Sequence, residues 1–201
     1  AMVAKETARA LRAALDVIED VGGLGLLATN CGPDHPPNSR VVKAHLLDSK
    51  LDTVYIATNR YTDKVQELAK NPLASVSFYT NGASAGDYVV LRGKVTRTID
   101  FGTEKEVISK VWRDEDMLPF FQGGPQDDRF CLLEFKPHEV SLISAKHNVA
   151  AKDNGWRPAK LERVMEEGAG SSWRLREDDI SSDRLRRLRG AYDADGRPLP
   201  E

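Results

Sequence analysis

The stretch from residue 38 to residue 79 constrains the fold of this chain more than any other segment. It reads as strand, turn, strand, loop, helix and strand in close succession. The first strand alternates with a period of two residues, so that one face carries Arg40, Val42, Ala44 and Leu46. The second strand, predicted over residues 53–58, is rich in β-branched and aromatic residues. The segment therefore predicts an antiparallel strand pair that feeds a short helix.

The start of that helix is a candidate anion-binding site. Thr62 is the predicted N-cap, the helix carries Val65, Leu68 and Ala69 on one side, and Asn71-Pro72 ends it. A helix N-terminus presents unpaired N–H groups and a positive dipole end. Lys64, Arg40 and the hydroxyls of Thr58 and Thr62 can converge there on a phosphate group if the strands are neighbours. The alternative is that Arg40 and Lys64 are ordinary surface cations.

The order and spacing of these residues resemble the FMN-binding split barrels of the pyridoxamine 5'-phosphate oxidase type. The resemblance covers about residues 20 to 100 closely and the remainder loosely. The matching elements are Ser39-Arg40-Val41-Val42-Lys43, Thr58-Asn59, Thr62, Lys64, Asn71-Pro72, a strand ending at Phe78-Tyr79, and the run YVVLRGKV at 88–95.

The resemblance implies a mainly β fold, a small antiparallel split β-barrel with flanking helices. It places an FMN-binding domain at residues 1–146 and a charged extension at 147–201, partly packed on the barrel and partly disordered. The implied cofactor is FMN, and the implied cofactor-binding residues are Arg40, Val41, Val42, Lys43, Thr58, Asn59, Thr62, Lys64 and Tyr88. It assigns no catalytic residue and no metal ligand. It also implies a homodimer, because a second subunit completes the flavin site in similar proteins.

Composition excludes several classes of function. The chain has 29 Lys and Arg against 31 Asp and Glu, a net charge of -2, which gives no general attraction to nucleic acid or anionic membranes. Two cysteines, Cys31 and Cys131, are too few for a disulfide framework and have no metal-ligand spacing. No apolar run has the length of a membrane span, and no leader pattern is present. A cytoplasmic location is expected.

The remaining segments predict further strands and helices around the central stretch. Helices are predicted over 7–21 and from a capping box at Thr103–Glu106, the second carrying Trp112. Strands are predicted over 24–29, 88–99, 130–135 and 140–145, the last two separated at Pro137, with Gly93 at a bulge. The total is about seven strands and three helices.

Two adjacent aromatic residues, Phe120 and Phe121, lie in a predicted irregular loop over 114–128. Beside a Gly-Gly-Pro run they are interpreted as exposed, forming either a lid over a ligand or a patch buried at an interface. This loop and the helix carrying Trp112 are the predicted contacts of the homodimer.

The charged extension resembles the substrate-binding end of pyridoxamine phosphate oxidases, around Trp156, Lys160 and Trp173. Those enzymes carry an Arg-x-His pair that holds substrate, whereas this chain has Lys160 and Glu162 at the corresponding positions. A carboxylate there repels a substrate phosphate. Oxidation of vitamin B6 phosphates is therefore expected to be poor. A short helix is predicted over 183–189 and disorder over 193–201.

Two functions of different classes remain open at this point. The first is an FMN-dependent oxidoreductase that acts on an unidentified small molecule. The second is a flavin-binding module without turnover, a carrier or a sensor, while related split barrels bind haem or a deazaflavin instead. Haem needs an axial histidine, and the two candidates, His138 and His147, are each predicted to be surface residues. His35, in a proline-rich turn, is also predicted to be solvated. No GxGxxG or GxSxG motif supports a dinucleotide fold or a serine hydrolase.

Overall fold

The computed structural model describes residues 2–30, 32, 35–81, 86–149, 158–166 and 170–176. These residues form four α-helices, one 3-10 helix and eight strands. The helices are α1 (Met2–Asp20), α2 (Asp63–Lys70), α3 (Lys105–Val111) and α4 (Asp114–Met117), and the 3-10 helix is Gly124–Gln126. The strands are β1 (Leu24–Thr29), β2 (Asn38–Leu46), β3 (Val54–Asn59), β4 (Leu73–Tyr79), β5 (Tyr88–Ile99), β6 (Phe130–Ile143), β7 (Ala159–Glu166) and β8 (Gly170–Leu175).

All neighbouring strands are antiparallel, in the order β3-β2-β1-β4-β5-β6-β7-β8. An additional pairing joins β3 to β6, from Val54↔Phe135 to Asn59↔Phe130, and closes the first six strands into a barrel. β7 and β8 extend the sheet beyond this closure. The predicted mainly β split barrel with flanking helices is confirmed. None of the described helices has both the length and the apolar character needed to cross a bilayer.

The main core lies inside the barrel, and α1 covers one opening. Inward residues of the strands, among them Leu27, Val76 and Leu91, are fully buried. The helix adds a buried stripe of small and branched residues, Ala10, Ala13, Ala14, Val17 and Ile18. The small alanines let the helix axis approach the strands closely. Gly22 and Gly23 end the helix at positive φ, 60° and 75°, a conformation that favours glycine.

A second, smaller core lies outside the barrel, where α3 and α4 pack on β3 and β6. Phe130 is its centre, and the rings of Trp112 and Phe121 each contact it edge-on at 5.0 Å. The prediction of two exposed aromatics is wrong for one of them, because Phe121 is 7% exposed while Phe120 is 72% exposed. Phe121 is therefore a core residue, neither a lid nor a dimer contact.

The capping box predicted at Thr103 is also wrong. The N-cap of α3 is Glu104 and has no side-chain capping bond. Thr103 instead closes a turn with Asp100: its Oγ1 accepts from the Asp100 amide at 3.0 Å, and its own amide donates to Asp100 Oδ1 at 3.0 Å. This local turn uses the polar groups that a capping box needs.

The two strands predicted around Pro137 are one continuous strand, β6. Pro137 pairs with Gly93 of β5, and the register shifts between Arg92 and Gly93, which confirms the predicted bulge. A Cβ on Gly93 would meet the Lys136 carbonyl oxygen at 2.3 Å. The strand accommodates proline because the bulge removes the need for its missing N–H in the ladder. The bulge bends the long strand without ending it.

The described part of the extension packs on the barrel. β7 pairs with the second half of β6, and its Leu161 is fully buried in the main core. Trp173 of β8 packs against that core and donates its indole N–H to the Lys50 carbonyl at 2.7 Å. Trp156 and the segments predicted over 183–189 and 193–201 lie outside the described residues.

Candidate functional site

Four of the predicted cofactor-binding residues come together around the start of α2. Arg40 projects from the barrel-facing side of β2, and Thr58 lies near the end of β3, one connection before the helix. Lys64 turns back toward this strand end, so its ammonium group donates to Thr58 Oγ1 at 2.9 Å and to Thr62 Oγ1 at 3.3 Å. The predicted convergence of Arg40, Thr58, Thr62 and Lys64 therefore exists in the structure.

Thr62 is the N-cap residue of α2, as predicted, with an extended backbone at φ -81° and ψ 153°. Its hydroxyl makes no capping bond. It donates instead to the Asn59 carbonyl at 2.7 Å and accepts from Lys64. The first N–H groups of the helix thus receive no partner from the N-cap side chain, which leaves them directed out of the helix start.

The Lys64 ammonium is held in an electropositive, half-buried environment. Burial and then the positive charge of Arg40 lower the pKa of Lys64 from its usual value. An anion between the two cations would offset both the burial and the repulsion.

Arg40 has a carboxylate partner that the sequence analysis missed, Glu67 of α2. The Arg40 Nη2 donates to Glu67 Oε2 at 2.6 Å. Thr29 also donates its hydroxyl to Glu67 at 2.5 Å, and the Asn38 side-chain amide donates to it at 3.0 Å. The hydrogen bonds from Thr29, Asn38 and Arg40 lower the pKa of Glu67 to about 2. Glu67 is therefore ionised at neutral pH and fixes the orientation of the Arg40 guanidinium.

Glu67 was detectable in principle from the helix pattern. It follows Lys64 by three residues and precedes the buried Leu68, so it belongs to the helix face that contacts the barrel. Ala69, predicted on that face, is exposed instead. An acid on the buried side of a helix, next to a strand that carries an inward arginine, predicts an ion pair.

The other predicted cofactor-binding residues lie outside this cluster. Lys43 points to the opposite side of β2 and pairs with Asp116 of α4 at 2.5 Å. Val41 is exposed on that same outward side, whereas Val42 is buried in the main core. Asn59 shapes the turn before α2, since its side chain accepts from the Tyr61 amide at 2.9 Å.

Tyr88 begins β5, where it pairs with Tyr79 of β4 and Ile143 of β6. It takes no part in the hydrogen bonds of the cluster. The polar cluster therefore consists of Arg40, Thr58, Thr62 and Lys64, with Glu67, Thr29 and Asn38 as their supports.

The histidines form no metal site within the described residues, where no group of three or more potential ligands is arranged around a common point. His35 and His138 are exposed. His147 lies against α1, with its Nε2 2.9 Å from Asp16 Oδ2. The candidate haem ligands of the sequence analysis are thus either on the surface or engaged with α1.

Glu162, at the position where substrate binding was expected, lies on β7 and pairs with Arg174 of β8 at 2.6 Å. Lys160, on the same strand, lies opposite Ser141 of β6. Both residues are partly buried on the outer sheet, and the ion pair directs the Glu162 carboxylate toward a neighbouring strand.

The sequence profile of the family described as "Pyridoxamine 5'-phosphate oxidase like" matches residues 15–161 of the chain. That match covers most of the sequence, and it includes every strand of the closed barrel. The chain belongs to the pyridoxamine 5'-phosphate oxidase-like family. No curated protein matches the chain significantly.

Solved structures of similar fold belong to proteins that are described in different functional terms. General stress protein 26 from Bacillus anthracis str. Sterne is 19% identical, with a TM-score of 0.55 over 66% of this chain and 92% of its own. A pyridoxamine 5'-phosphate oxidase-related, FMN-binding protein from Nostoc punctiforme PCC 73102 is 16% identical, with a TM-score of 0.54 over 85% and 94%. A haem-binding protein from Mycobacterium smegmatis is 16% identical, with a TM-score of 0.52 over 89% and 93%. At these identities the likeness extends to the fold alone.

Proposed function

We propose that this member of the pyridoxamine 5'-phosphate oxidase-like family binds FMN through the cluster at the start of α2 and works as an FMN-dependent oxidoreductase. The observation that carries the proposal is the half-buried Lys64 ammonium, which donates to Thr58 and Thr62 and whose pKa is lowered by burial and then by Arg40. Two cations, two hydroxyls and a helix start suit a phosphate monoester. Bound FMN would supply hydride or electron transfer, which no side chain provides.

The residues present fit this cofactor despite the carboxylate of Glu67. Glu67 accepts a hydrogen bond from Nη2 of Arg40, while the Thr29 hydroxyl and the Asn38 carbonyl accept hydrogen bonds from Nη1. A guanidinium has five N–H donors, so donors remain for a ligand. Lys64 makes no ion pair with a carboxylate among the described residues, and it carries the larger share of the charge offered to a phosphate.

The experiment is a flavin-fluorescence titration of wild type, Lys64→Ala and Lys70→Ala with FMN and with riboflavin. Lys70 is a matched control, because it is an exposed lysine in the last turn of the same helix. Loss of a charge-assisted hydrogen bond costs about 1.5 to 3 kcal/mol, which weakens FMN binding by about 10- to 150-fold in Lys64→Ala. Lys70→Ala is expected to change it less than about twofold.

Riboflavin separates a phosphate contact from general damage to the site. It lacks the phosphate, so it is expected to bind wild type more weakly and to bind Lys64→Ala equally well. Thermal unfolding of each variant verifies the fold. Equal FMN affinity of wild type and Lys64→Ala would refute the proposed site. Turnover is tested separately, by reduction of the flavin with a nicotinamide donor and reoxidation in air; failure of reduction would favour the carrier or sensor function.

We also propose a homodimer, formed through the outward face of β1, β2 and β4. Exposed apolar side chains on this face are Leu24, Leu26, Val41, Leu73 and Tyr79. Leu26 lies directly beside Val41 across the β1–β2 pair. An extended apolar face on adjacent strands is typical of a protein interface. The predicted contact was the helix carrying Trp112 and the Phe120–Phe121 loop. There the rings of Trp112 and Phe121 pack on Phe130 within the subunit, and Phe120 is 72% exposed.

Light scattering at micromolar concentration, with FMN present, tests the dimer. Leu26→Glu combined with Val41→Glu is expected to give monomers, because two carboxylates per subunit would be buried without partners. Met165→Glu is the control, since Met165 is an exposed apolar residue on β7. A wild-type mass of one subunit would refute the dimer, and a dimeric double variant would refute this face.

A further inference from the structure

Glu67 places a negative charge beside the two cations of the polar cluster. Its carboxylate lies 2.6 Å from Arg40 Nη2, and its side chain is 14% exposed. Burial and then the positive charge of Arg40 lower the pKa of Lys64, and the charge of Glu67 is among the causes that act in the opposite direction. Water screens a largely buried charge only weakly. The Glu67 carboxylate therefore acts on any anion that binds between Arg40 and Lys64.

Hydrogen bonds fix this carboxylate in place. Thr29, a buried residue of β1, donates its hydroxyl to Oε2 at 2.5 Å, and the Asn38 side-chain amide donates to Oε1 at 3.0 Å. Thr29 in turn accepts from Arg40 Nη1, so Arg40, Thr29 and Glu67 form a closed ring of hydrogen bonds. The ring holds an ionised acid in one position next to the phosphate site.

The charge that the cluster offers to a phosphate is smaller than its two cations suggest. Glu67 offsets one of the positive charges of Arg40 and Lys64. Asp63, in the first turn of α2, is exposed, so water screens its charge. A phosphate monoester carries a charge of about -1.5 to -2 at pH 7. The cluster with Glu67 therefore compensates a phosphate dianion incompletely.

Glu67 has opposite effects on the fold and on an anionic ligand. An ionised carboxylate only accepts hydrogen bonds, so it offers no donor to a phosphate. Its bonds to Thr29, Asn38 and Arg40 stabilise the folded chain, whereas its charge repels a phosphate. Removal of the charge alone should therefore weaken the fold and strengthen phosphate binding.

We propose that Glu67 is a built-in counter-charge that limits the affinity of the polar cluster for the flavin phosphate, so that bound FMN exchanges with free FMN. The inference rests on the proposed function, because it concerns the same phosphate site. It gives Glu67 a role in ligand release in addition to its role in orienting Arg40.

The test is a flavin-fluorescence titration of wild type and Glu67→Gln with FMN and with riboflavin. Glutamine keeps the size of the side chain and one acceptor oxygen but removes the charge. Glu67→Gln is expected to bind FMN about fivefold or more tightly than wild type and to release it correspondingly more slowly. Riboflavin, which lacks the phosphate, is expected to bind both proteins equally. A residue that only orients Arg40 predicts the opposite sign, weaker FMN binding after its replacement.

Glu134→Gln is the matched control. The Glu134 carboxylate accepts from Thr96 Oγ1 at 2.6 Å and from Arg97 Nη2 at 2.8 Å, and its side chain is 6% exposed. It thus resembles Glu67 in its donors and its burial. Its neighbours in β6, residues 133 and 135, belong to the main core, so strand alternation directs Glu134 to the outside of the barrel. Glu134→Gln is expected to leave the FMN affinity unchanged.

A second comparison separates the charge of Glu67 from its contact with Arg40. Arg40→Gln is expected to weaken FMN binding, because one cation is lost and the Glu67 charge stays. Addition of Glu67→Gln to Arg40→Gln is expected to recover about fivefold or more of the FMN affinity. If Glu67 acted only through Arg40, the added change would have no effect. If Glu67→Gln alone does not fold, this comparison decides, since the double variant leaves neither charge buried without its partner.

Lys64→Ala shows which of the two proposals has failed. If it weakens FMN binding while Glu67→Gln binds FMN no more tightly than wild type, the flavin site stands and the role of Glu67 is refuted. Equal tightening of riboflavin by Glu67→Gln, or equal tightening of FMN by Glu134→Gln, would also refute that role. If Lys64→Ala leaves the FMN affinity unchanged, both proposals are refuted.

Discussion

Replacement of Glu67 by glutamine is expected to destabilise the protein in a way that depends on pH. Glu67 accepts hydrogen bonds from Thr29, Asn38 and Arg40, and these lower its pKa to about 2 from an ordinary value of 4.5. A carboxyl group whose pKa is lower in the folded state stabilises that state above its unfolded pKa. This stabilisation is lost as the pH falls from about 4.5 to about 2.

The size of this stabilisation follows from the difference between the pKa of Glu67 in the folded state and its pKa in the unfolded state. Each pKa unit corresponds to about 1.4 kcal/mol, so the ionised carboxylate contributes at most about 3.5 kcal/mol at pH 7 and about 1 kcal/mol at pH 3. Glutamine keeps one acceptor oxygen and loses the charge. Glu67→Gln is therefore expected to lower the free energy of unfolding by about 2 to 3 kcal/mol at pH 7 and by about 1 kcal/mol at pH 3.

Urea denaturation followed by tryptophan fluorescence measures this difference, and the chain offers a matched control. Arg174 and Glu162 are also separated by 2.6 Å, but their side chains are 60% and 38% exposed, against 19% and 14% for Arg40 and Glu67. Glu162→Gln is expected to change stability by less than about 1 kcal/mol at either pH, because exposed ion pairs contribute little. An equal loss for Glu67→Gln at pH 7 and pH 3, or a loss no larger than that of Glu162→Gln, would refute the reasoning.

Three further outcomes are expected. Gly93→Ala should lower the free energy of unfolding by roughly 2 kcal/mol or more, measured in urea, because its Cβ would overlap the Lys136 carbonyl; an unchanged midpoint would contradict the close approach. Burial raises the pKa of Cys131 to about 11, so in a Cys31→Ser background the native protein should not react with a disulfide reagent at pH 8 until it is unfolded; rapid native labelling would show an accessible thiol. Pyridoxine 5'-phosphate should be oxidised poorly, because Glu162, where a substrate-binding residue was expected, is an acid paired with Arg174 and offers no donor to a phosphate; robust pyridoxal phosphate formation in an oxygen-coupled assay would overturn this.

Much of the central segment was predictable from sequence, because local patterns decide it. The alternation of residues along the strand predicted β2. The turn residues and the N-cap threonine predicted a start of α2 close to the observed one. Antiparallel pairing of the predicted strands brings β2 close to α2, and this pairing was enough to predict that Arg40 lies near Lys64. These features depend on residues close together in the chain.

The errors arose where a local signal competed with tertiary structure. Pro137 normally breaks a strand, but a bulge opposite Gly93 lets β6 continue through it. Phe121 follows an exposed aromatic in a glycine-rich loop, and only the position of Phe130 on the strand beneath makes it a core residue. Glu67 is an ordinary helix acid until the barrel places Arg40 opposite it. Spacing along the chain encodes neither the Pro137–Gly93 nor the Phe121–Phe130 contact, and for Glu67 it indicates only the helix face that meets the barrel.

The closure of the barrel by β3 and β6 has a consequence for how the protein folds. The pairing joins residues 54–59 to residues 130–135, so a long loop must close before these hydrogen bonds form. Until then β3 has a free edge, and the first half of β6, FCLLEF, exposes side chains that in the native state enter both hydrophobic cores. Such an apolar segment with unpaired backbone groups is prone to intermolecular pairing. Refolding should therefore be slow, and its yield should fall as the protein concentration rises.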